Sequence, residues 1–410
     1  MKRLSLLLGV LILLTAICSC ATELPATDPL ASESDTESYD QKTPSVIDRS
    51  IYTPEDSDIL YKGYNDFANL PGMVLVMDQS IHYGGMHLSY INKANQKAYY
   101  FCADPLCNHD ECDTGYAGMF VWPSYYVWSS VDQNLYTLRG KDGYSYASDG
   151  ALYLMDINTR EVDVVVPTNG NKIYSIYATD NYILLERAGS ETGKEIIRYD
   201  PLTKKSPSVV PPQGRVFRSL YVSGEIVLVA FMDDPYYYLT TPKFEEYQPT
   251  AMKNFDFLLG TTAYCVADID GNTVDAQPPL RVLYKQDLLT GDVTTLYTHE
   301  DSTIICVGFD GEYIYYVLSD PKPNEQGRTN LHGTVLYRIA VSGGEPEPMF
   351  DFCAENTGLR SDFYAAQVRS YDGVLYAVLS QVISTGHLDV YGMITCDDGE
   401  WRFDTLTAGD

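Results

Sequence analysis

Along most of the chain, apolar residues come in short runs rich in Val, Ile, Leu and Tyr, and many runs are bounded by an Asp, Asn or Gly. Such runs read as half-buried β-strands bounded by tight turns. Long stretches with the three- and four-residue apolar spacing of an amphipathic helix are missing. One unit recurs: a short apolar strand, a turn built on Asp or Gly, a Tyr- and Val-rich strand, then a second hairpin with an Asp-x-x-Thr type of turn. Its first half appears at Val131 to Tyr136, Thr179 to Leu184, Ser223 to Leu228, Asp310 to Tyr315 and Asp372 to Tyr376. Its second half appears at Leu152 to Thr159, Ile197 to Thr203, Leu283 to Thr290 and Leu336 to Gly343.

The turns at Asp132, Asp180, Gly224, Asp310 and Asp372 are 48, 44, 86 and 62 residues apart. About 40–50 residues per four-stranded unit is the period of a β-propeller. The reading is therefore an all-β fold, a β-propeller of about six four-stranded blades from near Val74 to near Phe403, within a domain spanning 51–410. The long interval is read as one blade carrying an insertion at about 233–279. That stretch holds loop-like segments (Asp233-Asp234-Pro235, Thr241-Pro242-Lys243) and no second copy of the first-half turn. The Tyr236-Tyr237-Tyr238 run within it is expected at the surface. The last blade is short of strands in the sequence, so a strand from within 51–76 is expected to complete it.

The first 50 residues follow another pattern. Lys2 and Arg3 precede an uncharged apolar stretch from Leu4 to Ile17. It is shorter than the roughly 20 residues that span a bilayer, which fits the core of a signal peptide. The stretch ends in Ile17-Cys18-Ser19-Cys20, which resembles the lipobox of bacterial lipoproteins. The resemblance implies a signal peptide at 1–19, cleavage before Cys20 and diacylglyceryl attachment to its sulfur. Two or three acyl chains (palmitate or similar) on one cysteine make a durable membrane anchor. Residues 20–50 then carry Glu23, Asp28, Glu33, Asp35, Glu37 and Asp40 among Ser, Thr, Ala and Pro. They read as a disordered acidic tether with a coil reach of about 30 Å. The expected location is extracytoplasmic, lipid-anchored to the bacterial cell membrane.

Charge narrows the partners. The chain has 28 Lys and Arg against 56 Asp and Glu, a formal charge of −28. Loss of Lys2 and Arg3 with the signal would take it to about −30. Nucleic acid is excluded as a partner, because phosphate binding needs clustered bases. Electrostatic adhesion to anionic lipid is disfavoured too, which leaves the acyl group as the membrane attachment.

The densest candidate chemistry is Phe101-Cys102-Ala103-Asp104-Pro105-Leu106-Cys107-Asn108-His109-Asp110-Glu111-Cys112. This segment and the repeats resemble the propeller lipoproteins of low-GC Gram-positive bacteria, domains of unknown function with TolB-like and YWTD-type relatives. The resemblance runs from about Leu60 to the C-terminus; the repeats themselves depart from the YWTD signature. Three thiols and an imidazole at Cys102, Cys107, His109 and Cys112 suit a structural zinc ion or a disulfide, and both stay open. If Asn92 to Lys97 forms the preceding hairpin turn, pairing partners sum to about 189, which places His87 near Cys102 as a fifth candidate. Cys265, Cys306, Cys353 and Cys396 sit singly in apolar contexts and read as buried, inert thiols. Asp268 to Asp275 has the alternating carboxylates of a calcium loop but reads better as a hairpin turn. Thr395 to Trp401, faintly similar to the Asp box of sialidases, also reads as a turn.

No G-x-S-x-G elbow, phosphate-binding glycine loop or H-E-x-x-H pair occurs in the sequence. The leading expectation is a non-catalytic binding or scaffolding module for an unnamed protein, peptide or glycan ligand. The alternative is an extracellular enzyme acting on glycan or peptide through carboxylates on one propeller face.

Overall fold

The structure, a computed structural model, describes residues 59–62, 67–78, 87–101, 126–139, 151–157, 161–167, 171–189, 193–212, 214–268, 280–319, 333–352, 364–383 and 386–406. Among these, β-strand is the regular structure and no helix occurs. β1 (Leu60–Tyr61) comes first and joins the sheet of a later unit. The first meander is β2 (Phe67–Leu70), β3 (Met73–Asp78), β4 (His87–Asn92) and β5 (Lys97–Tyr100); the second is β6 (Tyr126–Ser129), β7 (Asn134–Arg139), β8 (Ala151–Met155) and β9 (Val162–Val166). The third is β10 (Ile173–Ala178), β11 (Ile183–Ala188) and β12 (Lys194–Tyr199). A short fourth edge completes it: Arg198 donates its amide N–H to Pro207 O at 3.1 Å, and Val209 donates to Ile196 O at 2.8 Å.

The fourth unit is β13 (Phe217–Ser223), β14 (Ile226–Phe231), β15 (Tyr237–Thr240) and β16 (Gln248–Pro249). The fifth is β17 (Phe257–Leu259), β18 (Thr262–Ala267), β19 (Val282–Asp287) and β20 (Val293–Thr298). The sixth is β21 (Thr303–Phe309), β22 (Tyr313–Ser319), β23 (Val335–Ala340) and β24 (Glu347–Asp351); the last is β25 (Tyr364–Tyr371), β26 (Val374–Ile383), β27 (Gly386–Asp397) and β28 (Glu400–Thr405).

Asp sets the turns by a common device. Asp200 accepts the N–H groups of Leu202 and Thr203, Asp287 those of Leu289 and Thr290, and Asp310 those of Glu312 and Tyr313. A side-chain carboxylate thus replaces a backbone acceptor and fixes the corner. In three hairpins an Asp also accepts a strand Tyr hydroxyl: Asp132 from Tyr136 at 2.6 Å, Asp234 from Tyr238 at 2.5 Å, and Asp310 from Tyr315. The Thr395 to Trp401 segment is a tight turn, as expected, with Asp398 and Gly399 both at positive φ and Asp397 paired to Glu400.

Two expectations change. The described part of the 233–279 stretch, 233–268, is not a loop-like insertion: β15 to β18 lie within it, so the 86-residue interval holds two units. The missed corner is Leu259-Gly260-Thr261-Thr262, where Gly260 at φ 56° makes the turn with no Asp beside it. Tyr237 consequently sits in a strand and is buried. The last unit also supplies four strands of its own, and among the described residues no N-terminal strand joins it. β1 pairs instead with β17, Leu60 opposite Leu258 and Tyr61 opposite Phe257.

Packing joins the units in sequence order. One apolar cluster sets Leu75 and Phe101 of the first unit against Leu135 and Met155 of the second. Another sets Leu152 of the second unit against Ile183, Leu185 and Ile197 of the third. Further clusters pair Ile196 with Phe217, Leu228 with Ala263, Leu283 with Ile314, and Leu336 with Leu379. A final cluster packs Phe67, Val74 and Ile91 of the first unit against Tyr376, Tyr391 and Met393 of the last, so the succession closes on itself by side-chain packing. Phe67 meets the Tyr391 ring edge-on at 6.2 Å.

Candidate functional site

The strands' directions define two ends. At the entry end each unit's first strand begins; at the exit end lie the tight Asp and Gly turns. β1 runs antiparallel to β17, so Ile59 lies at the exit end and Lys62 at the entry end. Ile59 is near Gly311 of the sixth unit's first turn, and Lys62 donates its amide N–H to Asp256 O at 3.0 Å.

β1 is held by contacts from three units. Tyr61 donates its hydroxyl to Phe309 O, and the Arg369 guanidinium lies over the Tyr61 ring at 3.7 Å. Arg369 is buried and donates to Val307 O at 3.1 Å and Val368 O at 2.8 Å. It sits where β21 and β25 pair in parallel, Gly308 opposite Val368 and Phe309 opposite Arg369. Beside Lys62, whose ammonium donates to Asn254 Oδ1, the Asp256 carboxylate accepts the Val266 N–H at 2.9 Å. Burial pushes the Asp256 carboxyl up to about 6 against the pull of Val266 and Lys62, and burial lowers Lys62.

A second polar group spans the third and fourth units. Glu186 is buried on β11, pairs with Lys194 of β12, and accepts the Leu220 N–H of β13 at 2.8 Å. One carboxylate thereby ties two units together. Tyr177 donates to Leu220 O at 3.0 Å, and its hydroxyl is pushed well up, by burial first and then by Glu186. At the same end Arg187 pairs with Glu195, and Arg215 pairs with Asp233 and Asp234 while lying over the Phe231 ring.

Of the residues singled out in the sequence, Cys20, Cys102, Cys107, His109 and Cys112 lie outside the described residues. The backbone of His87 opens β4 opposite Asp78. The hairpin register is the expected one, with Asn92 opposite Lys97 and Ser89 opposite Tyr100. Among the described residues no group of three or more His, Cys, Asp or Glu is placed to hold a metal ion. Cys265 is buried and Cys306 largely so, and burial raises both thiols. Cys396, expected to be buried, is exposed and free, because it lies next to the solvent-facing turn at Asp397. Cys353 and the residues 269–275 fall outside the described set.

No family model matches the sequence, and no curated protein does. Solved structures do match. The β-propeller domain of the Trilobed protease from Pyrococcus furiosus, described as having an open velcro topology, superposes with a TM-score of 0.50 at 11% identity, covering 86% of this chain and 100% of that one. An acylaminoacyl peptidase from Pyrococcus horikoshii gives 0.47 at 11% identity over 82% of this chain and 51% of the other. A protein from Lactobacillus plantarum gives 0.42 at 12% identity, covering 82% and 94%. The chain spans about half the length of the acylaminoacyl peptidase it matches. The fold is a β-propeller.

Proposed function

We propose that this chain is a lipid-anchored extracytoplasmic β-propeller that acts as a non-catalytic binding or scaffolding module. Support for the anchor comes from the Ile17 to Cys20 motif and the acidic stretch that follows it. Support for binding rather than catalysis comes from how two of the described buried ionisable groups are used. Glu186 serves Lys194 and the Leu220 amide, and Arg369 serves two carbonyls and the Tyr61 ring. Groups bound into the frame in this way are poor candidates for proton transfer, which needs a side chain free to reach the reacting atom.

The test is to incubate the full chain with peptide and glycan libraries and to follow both retention and mass. This reading expects ligands retained and recovered with unchanged mass. Cleavage products that accumulate over many turnovers, and vanish on substitution of a surface carboxylate, would establish the enzyme alternative instead.

A further inference from the structure

The entry end of the third and fourth units, continued to the start of the fifth, departs from the character of the rest of this acidic chain. Lys172 immediately precedes β10, Arg218 is the second residue of β13, and Lys253 lies just before β17. Three neighbouring units thus begin their first strands beside a cation. Lys172 and Lys194 both lie over the Tyr174 ring, at 5.2 and 4.0 Å, and Lys253 lies over Tyr236 at 4.9 Å. Arg218 donates to Pro235 O at 3.4 Å. Among the described residues none of Lys172, Arg218 and Lys253 has a carboxylate within ion-pair distance. Five described acids nearby are engaged: Glu186 by Lys194, Glu195 by Arg187, Asp233 and Asp234 by Arg215, and Asp256 by the Val266 amide beside Lys62.

Apolar side chains are exposed at the same place. Tyr174, Val216 and Met232 are 36%, 38% and 49% exposed. They adjoin one another: Lys194, which lies over the Tyr174 ring, pairs with Phe217 next to Val216, and Met232 donates its N–H to Val216 O at 2.9 Å. Exposed apolar groups gathered together mark interaction surfaces more often than scattered ones do. Cations left unpaired on a chain of formal charge −28 attract a negative partner locally while the remainder repels it, which selects for a short, well-placed anionic segment.

We propose that this surface docks an acidic peptide segment that also carries apolar side chains. The inference rests on the binding-module reading and names its partner. A peptide fits better than an anionic glycan because sugars dock by stacking on open aromatic faces. Here lysine ammonium groups already lie over Tyr174 and Tyr236, and the exposed groups beside them are aliphatic.

The experiment measures binding of a labelled peptide of alternating Glu and Leu to the full chain, with a Gln and Leu peptide and polygalacturonate as comparison probes. The variants are a triple K172Q/R218Q/K253Q and a control triple K97Q/K204Q/K205Q at the exit end, each checked for unchanged melting. Expected are salt-sensitive binding of the acidic peptide, a loss of about tenfold or more in the first triple, and little change in the control. R218K should recover more of the affinity than R218Q. Equal weakening by both triples would overturn the site, since attraction would then be diffuse. Binding of polygalacturonate or the neutral peptide in place of the acidic one would overturn the partner chemistry while leaving the binding-module reading standing. Turnover of a probe would instead overturn that reading itself.

Discussion

The Arg369 guanidinium lies over the Tyr61 ring at 3.7 Å, joining the last propeller unit to a strand contributed from far earlier in the chain. Arg369 also satisfies the Val307 and Val368 carbonyls, so it bonds together the sixth unit, the last unit and β1. Replacing Arg369 with Ala should cost about 2–4 kcal/mol, because it removes charge-assisted hydrogen bonds and leaves buried acceptors unpaired. Tyr61→Phe, which loses the bond to Phe309 O, should cost about 1 kcal/mol. Urea unfolding measures both; an Arg369→Ala cost below about 0.5 kcal/mol would contradict this role.

Gly308 and Gly373 separate close approach from backbone freedom. A Cβ on Gly308 would collide with Val368 O and lie 2.7 Å from Val368 Cβ, where β21 and β25 pair. Gly373 is at φ +77° with nothing within 4 Å of its missing Cβ. Gly308→Ala should therefore cost about 1–3 kcal/mol by overpacking, and Gly373→Ala about 1 kcal/mol by strain alone. Thermal melts should rank them in that order.

Asp256 gives a pH signature. Its carboxyl is raised from the ordinary 3.8 to about 6, burial being the main cause. The folded state therefore holds this proton more tightly than the unfolded one. Its contribution to stability is full below pH 3.8 and is lost as pH rises through about 6. Asp256→Asn keeps an acceptor for the Val266 amide and cannot ionise. Its stability relative to the natural chain should rise between about pH 4 and pH 7 and then level off. A relative stability that falls over that window would mean Lys62 dominates over burial.

Local patterns made much of this fold legible. Asp200, Asp287 and Asp310 are turn residues because each carboxylate caps two nearby amides, and that chemistry is written within three residues. The β4–β5 register followed from one turn. The Gly260 corner was missed because it turns without an Asp, and two units were consequently read as one. The pairing of β1 with β17 is set by partners nearly 200 residues away in sequence, which no local pattern encodes. Lys172, Arg218 and Lys253 are likewise dispersed in the sequence and come together only because successive units repeat the same end.

The cysteines predict an order of reactivity. Exposed Cys396 should alkylate rapidly in the native state, while Cys265 and Cys306 should react only on unfolding, burial having raised both thiols. Of Cys102, Cys107 and Cys112, zinc should protect all three, whereas a disulfide should protect two and leave the third free to react. Metal analysis and peptide mapping distinguish the two, and free alkylation of all three thiols would refute a cross-link. The proposed lipid anchor predicts that Cys20 is blocked to alkylation and that Cys20→Ala moves the protein from the membrane fraction to the medium; retention of an acyl-labelled form would contradict Cys20 as the anchor.

The closure of the propeller by packing between its first and last units is tested most directly by a double-mutant cycle on Phe67 and Tyr391, whose rings meet edge-on. Phe67→Ala and Tyr391→Ala should each destabilise by about 3–5 kcal/mol. Combined, they should cost less than the sum by about 0.5–1.5 kcal/mol, the coupling of an aromatic pair in contact. Additivity to within about 0.3 kcal/mol would contradict the closure, because it would mean that the two units do not touch there.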